Sequence, residues 1–211
     1  MNKRLVWNFE INTDNPLITP VSNTLERTEE KWESRYFWPD DQVITLHGLN
    51  DSFLALSRYK IKHREDTYYV LPHADYNLKI RHNQLFYKPV LLKKGQAIAY
   101  GKKIKLEEQN PNIALPGCAE INTKKLLARI NNEGIQMKVE KEALIYTFET
   151  TPAAKLELAW LHVSGKGFYS VNIEAHSIQW VDVLTKQILG HLLACDYVTF
   201  LKRNLKERRP S

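Results

Sequence analysis

The residue types best suited to chemistry sit in two short stretches. In Asn77-Leu78-Lys79-Ile80-Arg81-His82-Asn83-Gln84-Leu85-Phe86-Tyr87-Lys88, polar and apolar residues alternate up to His82-Asn83, the period of a strand with two different faces. A two-residue turn at His82-Asn83 pairs Arg81 with Gln84, Lys79 with Phe86 and Asn77 with Lys88. Lys79, Arg81 and Lys88 then share one face, with Leu78, Ile80, Leu85 and Tyr87 on the other. Three cations on one face are costly to cover with apolar groups, so that face meets either water or an anion.

The second stretch supplies acids. Lys155-Leu156-Glu157-Leu158-Ala159-Trp160-Leu161-His162-Val163 and Phe168-Tyr169-Ser170-Val171-Asn172-Ile173-Glu174 flank Ser164-Gly165-Lys166-Gly167, a turn-rich tetrapeptide. A four-residue loop pairs Val163 with Phe168, Ala159 with Asn172 and Glu157 with Glu174. Opposed carboxylates repel unless a cation lies between them. Mg²⁺ commonly takes one or two carboxylates plus substrate phosphates. The alternatives are a slipped register, or an exposed pair relieved by Lys155.

These stretches, with Asp66-Thr67-Tyr68-Tyr69 before them, resemble in order and spacing the CYTH superfamily, the triphosphate tunnel metalloenzymes. The resemblance runs from about Lys31 to Glu174, and the C-terminal helices fit it. It implies an α+β fold: an antiparallel β-barrel of about eight strands with flanking helices, enclosing a tunnel. Family activities include inorganic, thiamine and RNA triphosphatases and one class of adenylate cyclase. On this reading Arg35, Lys60, Lys79, Arg81, Lys88, Lys141 and Lys155 bind the triphosphate. Glu33, Glu157 and Glu174 are the catalytic acids and hold Mg²⁺ or Mn²⁺. Two departures stand out. The opening Glu-x-Glu-x-Lys pattern reads Lys31-Trp32-Glu33-Ser34-Arg35 here, and a later Glu-x-Glu strand reads Asn172-Ile173-Glu174. Each lost carboxylate weakens a metal site more than phosphate binding. Phe9-Glu10-Ile11 is an alternative opening strand, but no basic residue follows at the required spacing.

The elements that must position these groups follow from the same periodicities. Residues 1 to 11 suggest a short strand, followed by a polar loop through Asn12-Thr13-Asp14-Asn15-Pro16 and Thr19-Pro20; residues 1–30 are set apart from a single barrel domain over 31–211. Trp32 to Trp38 reads as a strand stopping at Pro39-Asp40. The run Arg58-Tyr59-Lys60-Ile61-Lys62-His63-Arg64 leads into Tyr68-Tyr69-Val70-Leu71 and places Arg58, Lys60, Lys62 and Arg64 on one side. Asp66 reads as turn support; Tyr68, Tyr69 and Trp160 read as core aromatics. Leu91 to Leu106 suggests one or two strands, and Asn110-Pro111-Asn112 with Pro116-Gly117 a connection between barrel halves. Thr123 caps a helix over Lys124 to Asn132, ended near Gly134. Met137 to Glu149 alternates, with Val139, Lys141, Ala143 and Ile145 on one side. Ser177 caps Ile178 to Leu189, ended by Gly190, and Asp196 caps a helix through Leu205. His176 follows Glu174 on the same face and is a candidate metal contact or a strand-end surface histidine.

Composition fits a soluble globular domain: 211 residues, 43% hydrophobic, 26% charged. A formal charge of +6 favours an anionic partner. Part of the excess lies in Lys202-Arg203-Asn204-Leu205-Lys206-Glu207-Arg208-Arg209, read as a solvated helix end and tail. Cys118 and Cys195 make neither a zinc nor a disulfide pattern, which suits a reducing cytoplasm. Met1-Asn2-Lys3-Arg4-Leu5-Val6 lacks the apolar run of a signal peptide, no stretch reaches transmembrane length, and no phosphate-loop, nucleophile-elbow or HExxH pattern is seen. The expectation is a cytoplasmic, metal-dependent hydrolase of an inorganic, nucleoside or thiamine triphosphate. One alternative is a polyphosphate- or nucleotide-binding protein that has lost turnover; a weaker one is a basic RNA-binding domain. The partner is then a triphosphate-containing small molecule, with nucleic acid second and no membrane; a homodimer stays open.

Overall fold

Strand alternation builds the molecule. The computed structural model describes residues 1–14, 25–107, 112–118 and 121–206. Its strands are β1 (Asn2–Val6), β2 (Phe9–Asn12), β3 (Lys31–Pro39), β4 (Ile44–Leu46), β5 (Lys60–Leu71), β6 (Ala74–Arg81), β7 (Gln84–Lys88), β8 (Val90–Lys94), β9 (Ala97–Tyr100), β10 (Ile104–Lys105), β11 (Ile135–Thr147), β12 (Lys155–Val163) and β13 (Lys166–Ala175). Helices are α1 (Thr123–Glu133), α2 (Ile178–Leu189) and α3 (Tyr197–Lys206). Asn15, Pro16, Thr19 and Pro20 of the expected polar loop, Asn110 and Pro111 of the expected connection, and Glu207, Arg208 and Arg209 of the tail lie outside the described residues.

The class is α+β, but the main sheet has ten strands rather than eight, in the order β10-β7-β6-β5-β11-β12-β13-β3-β9-β8, every neighbouring pair antiparallel. Strands β7 and β8 are consecutive and separated only by Pro89, so the two ends of the strand order meet in one chain segment and the sheet curls. Proline has no N–H to continue a ladder; its carbonyl instead accepts from Gly101 N at 3.0 Å. The segment Leu91 to Leu106 contributes to three strands where one or two were expected, because Gly95 takes a positive φ of 57° and turns the chain between β8 and β9. Phe9-Glu10-Ile11 does not open the main sheet. It lies in a separate three-stranded sheet, β1-β2-β4, where β2 runs parallel to β4.

Three apolar clusters hold the curl. On the outer face of β3, β12 and β13, Trp32, Tyr36, Leu156, Leu158, Val171 and Ile173 pack with Trp180, Val181 and Leu184 of α2 and with Phe9, Ile11 and Leu46 of the small sheet. Leu126 and Ile130 of α1 cover Leu78 and Tyr87. On the concave side, Tyr68, Met137, Val139, Leu161 and Val163 meet Tyr197, Phe200 and Leu201 of α3.

Caps differ from expectation in detail. Asn122, not Thr123, caps α1, its Oδ1 accepting from Lys125 N at 3.0 Å; either side chain can cap, and Thr123 falls one residue inside. A Cβ on Gly134 would meet the Ile130 carbonyl oxygen at 2.4 Å, so the end of α1 needs glycine for close approach. Ser177 precedes α2, but its hydroxyl bonds Gln179 Oε1 instead of the backbone. Asp196 caps α3 as expected, accepting from Thr199 N at 2.9 Å.

Candidate functional site

The site begins with the registers. The β6–β7 hairpin turns at His82-Asn83, both with positive φ, and pairs Arg81 with Gln84, Lys79 with Phe86 and Asn77 with Lys88, as the alternation requires. The β12–β13 hairpin departs. Ser164 and Gly165 alone form the turn, Val163 pairs with Lys166, and Glu157 faces Asn172 while Glu174 faces Lys155. The expected Glu157–Glu174 pair is therefore not opposed. The slip is two residues, the period of a strand, so every side chain keeps its expected face. The opposed carboxylates are instead Glu33 and Glu174, across β3 and β13, and Asn172 faces Arg35.

These faces line one cavity of about 610 Å³ on the concave side of the sheet. Nine of the ten expected site residues line it; Arg81 does not, but bonds Asp66 in its wall. Arg58 is also outside: it ends a short 3₁₀ turn before β5 and lies over the Tyr146 ring. The cavity wall carries eleven cationic side chains against five acids, an excess of six charges. Its floor is the concave apolar cluster, since Tyr68, Val139 and Tyr197 belong to both.

Each acid holds specific cations. Glu157 Oε1 accepts from Arg35 Nη1 at 3.1 Å and Lys141 Nζ at 2.9 Å. Burial works against this carboxylate, but Lys141 and Arg35 outweigh it and hold it well below the usual carboxylate range. Glu33 accepts from Lys88, and Glu174 pairs with Lys31 at 2.7 Å and Lys155 at 3.9 Å. Lys31 and Asn172 thus have physical roles. Lys31 neutralises Glu174 across the strand pair, and Asn172, its amide oriented to satisfy both partners, accepts from Arg35 Nη2 and donates to the Ser34 carbonyl, each at 3.2 Å.

Asp66 corrects the expectation of a turn. It sits mid-strand in β5, 6% exposed, and its carboxylate accepts from Lys79 Nζ at 2.9 Å and from Arg81 Nε and Nη2 at 2.6 and 2.5 Å. Burial pushes the Lys79 ammonium down to about 7, a loss Asp66 offsets only in part, while Arg81 and Lys79 together keep Asp66 low despite its burial. The same-face spacing 60-62-64-66-68 on a strand was the signal that places Asp66 inward.

Four lining cations, Lys60, Lys62, Arg64 and Lys103, have no ion-pair partner among the described residues. Lys60, Lys62 and Arg64 form a ladder along β5, about 13 Å from end to end at strand spacing. Burial and then the Arg64 and Lys60 charges lower the pKa of Lys62; burial and then Arg81, Lys88 and Arg64 lower that of Lys103. Like charges this close are stabilised when a multivalent anion enters.

No group of three or more His, Cys, Asp or Glu that could hold a metal occurs among the described residues. The opposed Glu33 and Glu174 are the residues that could hold Mg²⁺, which commonly takes one or two carboxylates plus phosphates; both would have to release lysines. His176 Nδ1 lies 3.0 Å from the Glu30 carbonyl oxygen. Trp160 is half-buried beside His162, whereas Tyr68 is buried and also faces the cavity. No helix among the described residues is long and apolar enough to cross a membrane. Neither a family model nor a curated protein sequence matches the chain.

Proposed function

We propose that the protein binds a triphosphate-containing small molecule in this cavity, and that the curled sheet is the wall of a CYTH-type triphosphate tunnel. The observation that carries the reading is the set of cations without an ion-pair partner among the described residues, half-buried Lys62 and Arg64 with exposed Lys60 and Lys103, lining one cavity. A linear anion with several charges neutralises a ladder of this length better than a single small ion does. Deeper in, Arg35, Lys79, Lys88 and Lys141 already hold carboxylates, so phosphate oxygens reaching them would exchange one oxygen anion for another. Inorganic tripolyphosphate is the simplest probe. Ligand at 100 times its Kd stabilises a fold by about 2.7 kcal/mol, or about 5–11 °C in Tm for a chain of this size. A rise of that order in EDTA at low salt is the expected result. No rise at millimolar tripolyphosphate would overturn the reading.

The opposed Glu33 and Glu174 favour a second reading, divalent-metal-dependent hydrolysis. Mg²⁺ or Mn²⁺ held by Glu33 and Glu174, with Glu157 nearby in the same wall, would polarise a phosphoryl oxygen. The lysines and arginines orient the phosphates and offset charge, which is most of what phosphoryl transfer requires of a protein. Phosphate release from tripolyphosphate, a nucleoside triphosphate or thiamine triphosphate is then expected only with metal. Release from none of the three with Mg²⁺ or Mn²⁺ would leave binding alone.

A further inference from the structure

The basic cavity has a neighbour. A recess of about 220 Å³ is lined in part by Asn77, Lys93, Tyr100 and Asp196, which also line the basic cavity, so the two border on the same side chains. Their linings differ in kind. The recess adds Tyr76, Tyr87, Val90 and Val198, and its acids are Asp75 and Asp196. Its one cation, Lys93, already lies 3.8 Å from Asp196. Tyr76 and Tyr87 meet edge to face, centroids 6.1 Å apart. Nothing here invites a further phosphate, and two carboxylates repel one.

Basic side chains lead up to the shared wall. Tyr100, in the shared wall, lies under Lys88 Nζ at 3.7 Å from the ring centre. Lys103 feels the charges of Lys88, Arg81 and Arg64, and Arg64 continues into the β5 ladder. A ligand with its phosphates along Lys88, Lys103 and Arg64 would place whatever is esterified to the chain's end beside Tyr100.

We propose that the recess is the subsite for the organic part of the ligand, so that the preferred ligand is a triphosphate monoester of a small single-ring group. This rests on the triphosphate reading above. Size sets the class: an engineered cavity of about 150 Å³ accepts benzene, so the recess has the volume for one ring, set among Tyr76, Val90 and Val198 on one hand and Asp75, Lys93 and Asp196 on the other. A purine nucleoside, with two fused rings and a sugar, is too large for it.

Isothermal titration calorimetry in EDTA with inorganic tripolyphosphate, benzyl triphosphate and ATP tests the idea. Benzyl triphosphate should bind about tenfold tighter than tripolyphosphate, a modest fraction of what full burial of a ring supplies, and ATP no tighter. Val90→Trp, which fills the recess from a residue outside the charged cavity, should abolish the gain and leave tripolyphosphate affinity within about twofold. Tyr76→Ala, which removes one aromatic wall, should reduce the gain without filling anything. If tripolyphosphate fails to bind the unaltered protein, both proposals fall. If it binds and benzyl triphosphate gains nothing, ATP gains as much, or the gain survives in both variants, the recess is not the subsite.

Discussion

Replacing Asp66 with asparagine separates an internal counter-ion from a bystander. The carboxylate is nearly buried and receives three charge-assisted hydrogen bonds, from Lys79 (side chain 11% exposed) and Arg81 (21%). Removing one member of a buried ion pair costs about 3–5 kcal/mol. Two features reduce that here: Arg81 keeps some water, and the introduced amide would retain one acceptor oxygen. A loss of about 2–4 kcal/mol is expected, or about 5–15 °C in Tm. The pH dependence gives a second readout. Asp66 is held below its ordinary pKa, so its contribution is present above the unfolded value near 3.9 and is lost as pH falls through the folded value. The melting temperatures of the two proteins should therefore approach each other below about pH 4. A third readout concerns the ligand: with no carboxylate between Lys79 and Arg81, tripolyphosphate should stabilise the Asp66→Asn variant by more degrees than the unaltered protein. Differential scanning fluorimetry across pH, with and without tripolyphosphate, measures all three. A gap in Tm that stays constant on acidification would refute the counter-ion assignment.

Lys79 titrates near 7 in the folded protein and about three units higher when unfolded, so the unfolded chain binds more protons between those values and stability should rise with pH across that window. Tripolyphosphate favours the charged ammonium, so its affinity should fall above pH 7; calorimetry in buffers of different ionisation enthalpy should show proton uptake on binding, and Lys79→Met should show less. Combined Lys60→Gln, Lys62→Gln and Arg64→Gln should weaken tripolyphosphate binding at least tenfold and flatten its salt dependence, with Tm unchanged or raised because adjacent like charges are removed; a marked drop in Tm would mean that the ladder is structural. Phe200→Ala should cost about 3–5 kcal/mol by chemical denaturation, because Phe200 stacks on Phe37 at 3.9 Å under the cavity floor; a loss below about 1 kcal/mol would show α3 to be loosely held.

Much of the fold was legible because periodicity survives errors of register. The β6–β7 hairpin was readable residue by residue, since His82-Asn83 can adopt the positive φ angles that a two-residue turn demands. The β12–β13 hairpin was not, because Ser164-Gly165-Lys166-Gly167 offers turn residues at every position. The glycine at 167 reads as a turn residue but lies in β13, where a Cβ would fall 1.7 Å from Asp40 Oδ2. The exposed Asp40 side chain would have to swing aside for any other residue there, an approach that a sequence does not display. The strand count failed for a related reason: Pro89 splits what would otherwise be one strand, and the pairing of β10 with β7 involves only two residues.

For the site, faces were legible and partners were not. Alternation alone brings Glu33, Arg35, Lys60, Lys79, Lys88, Lys141, Lys155, Glu157 and Glu174 to one cavity. Which carboxylate meets which cation depends on side-chain reach across the concavity: Lys141 pairs in the ladder with Leu161 and Arg64, yet its ammonium bonds Glu157, four residues along β12. That reach also explains why Lys31 and Asn172 need not be read simply as losses. Lys31, two residues before Glu33 on the same face of β3, reaches Glu174 and relieves a repulsion that a glutamate there would increase, and an amide facing Arg35 holds the guanidinium without competing with Glu157 for its charge. On the proposed reading, Lys31 and Asn172 stand where further metal-binding carboxylates would otherwise be, and the wall keeps its excess of six positive charges. Four of its cations have no ion-pair partner among the described residues, which is why the anion, not the metal, is the component to titrate first.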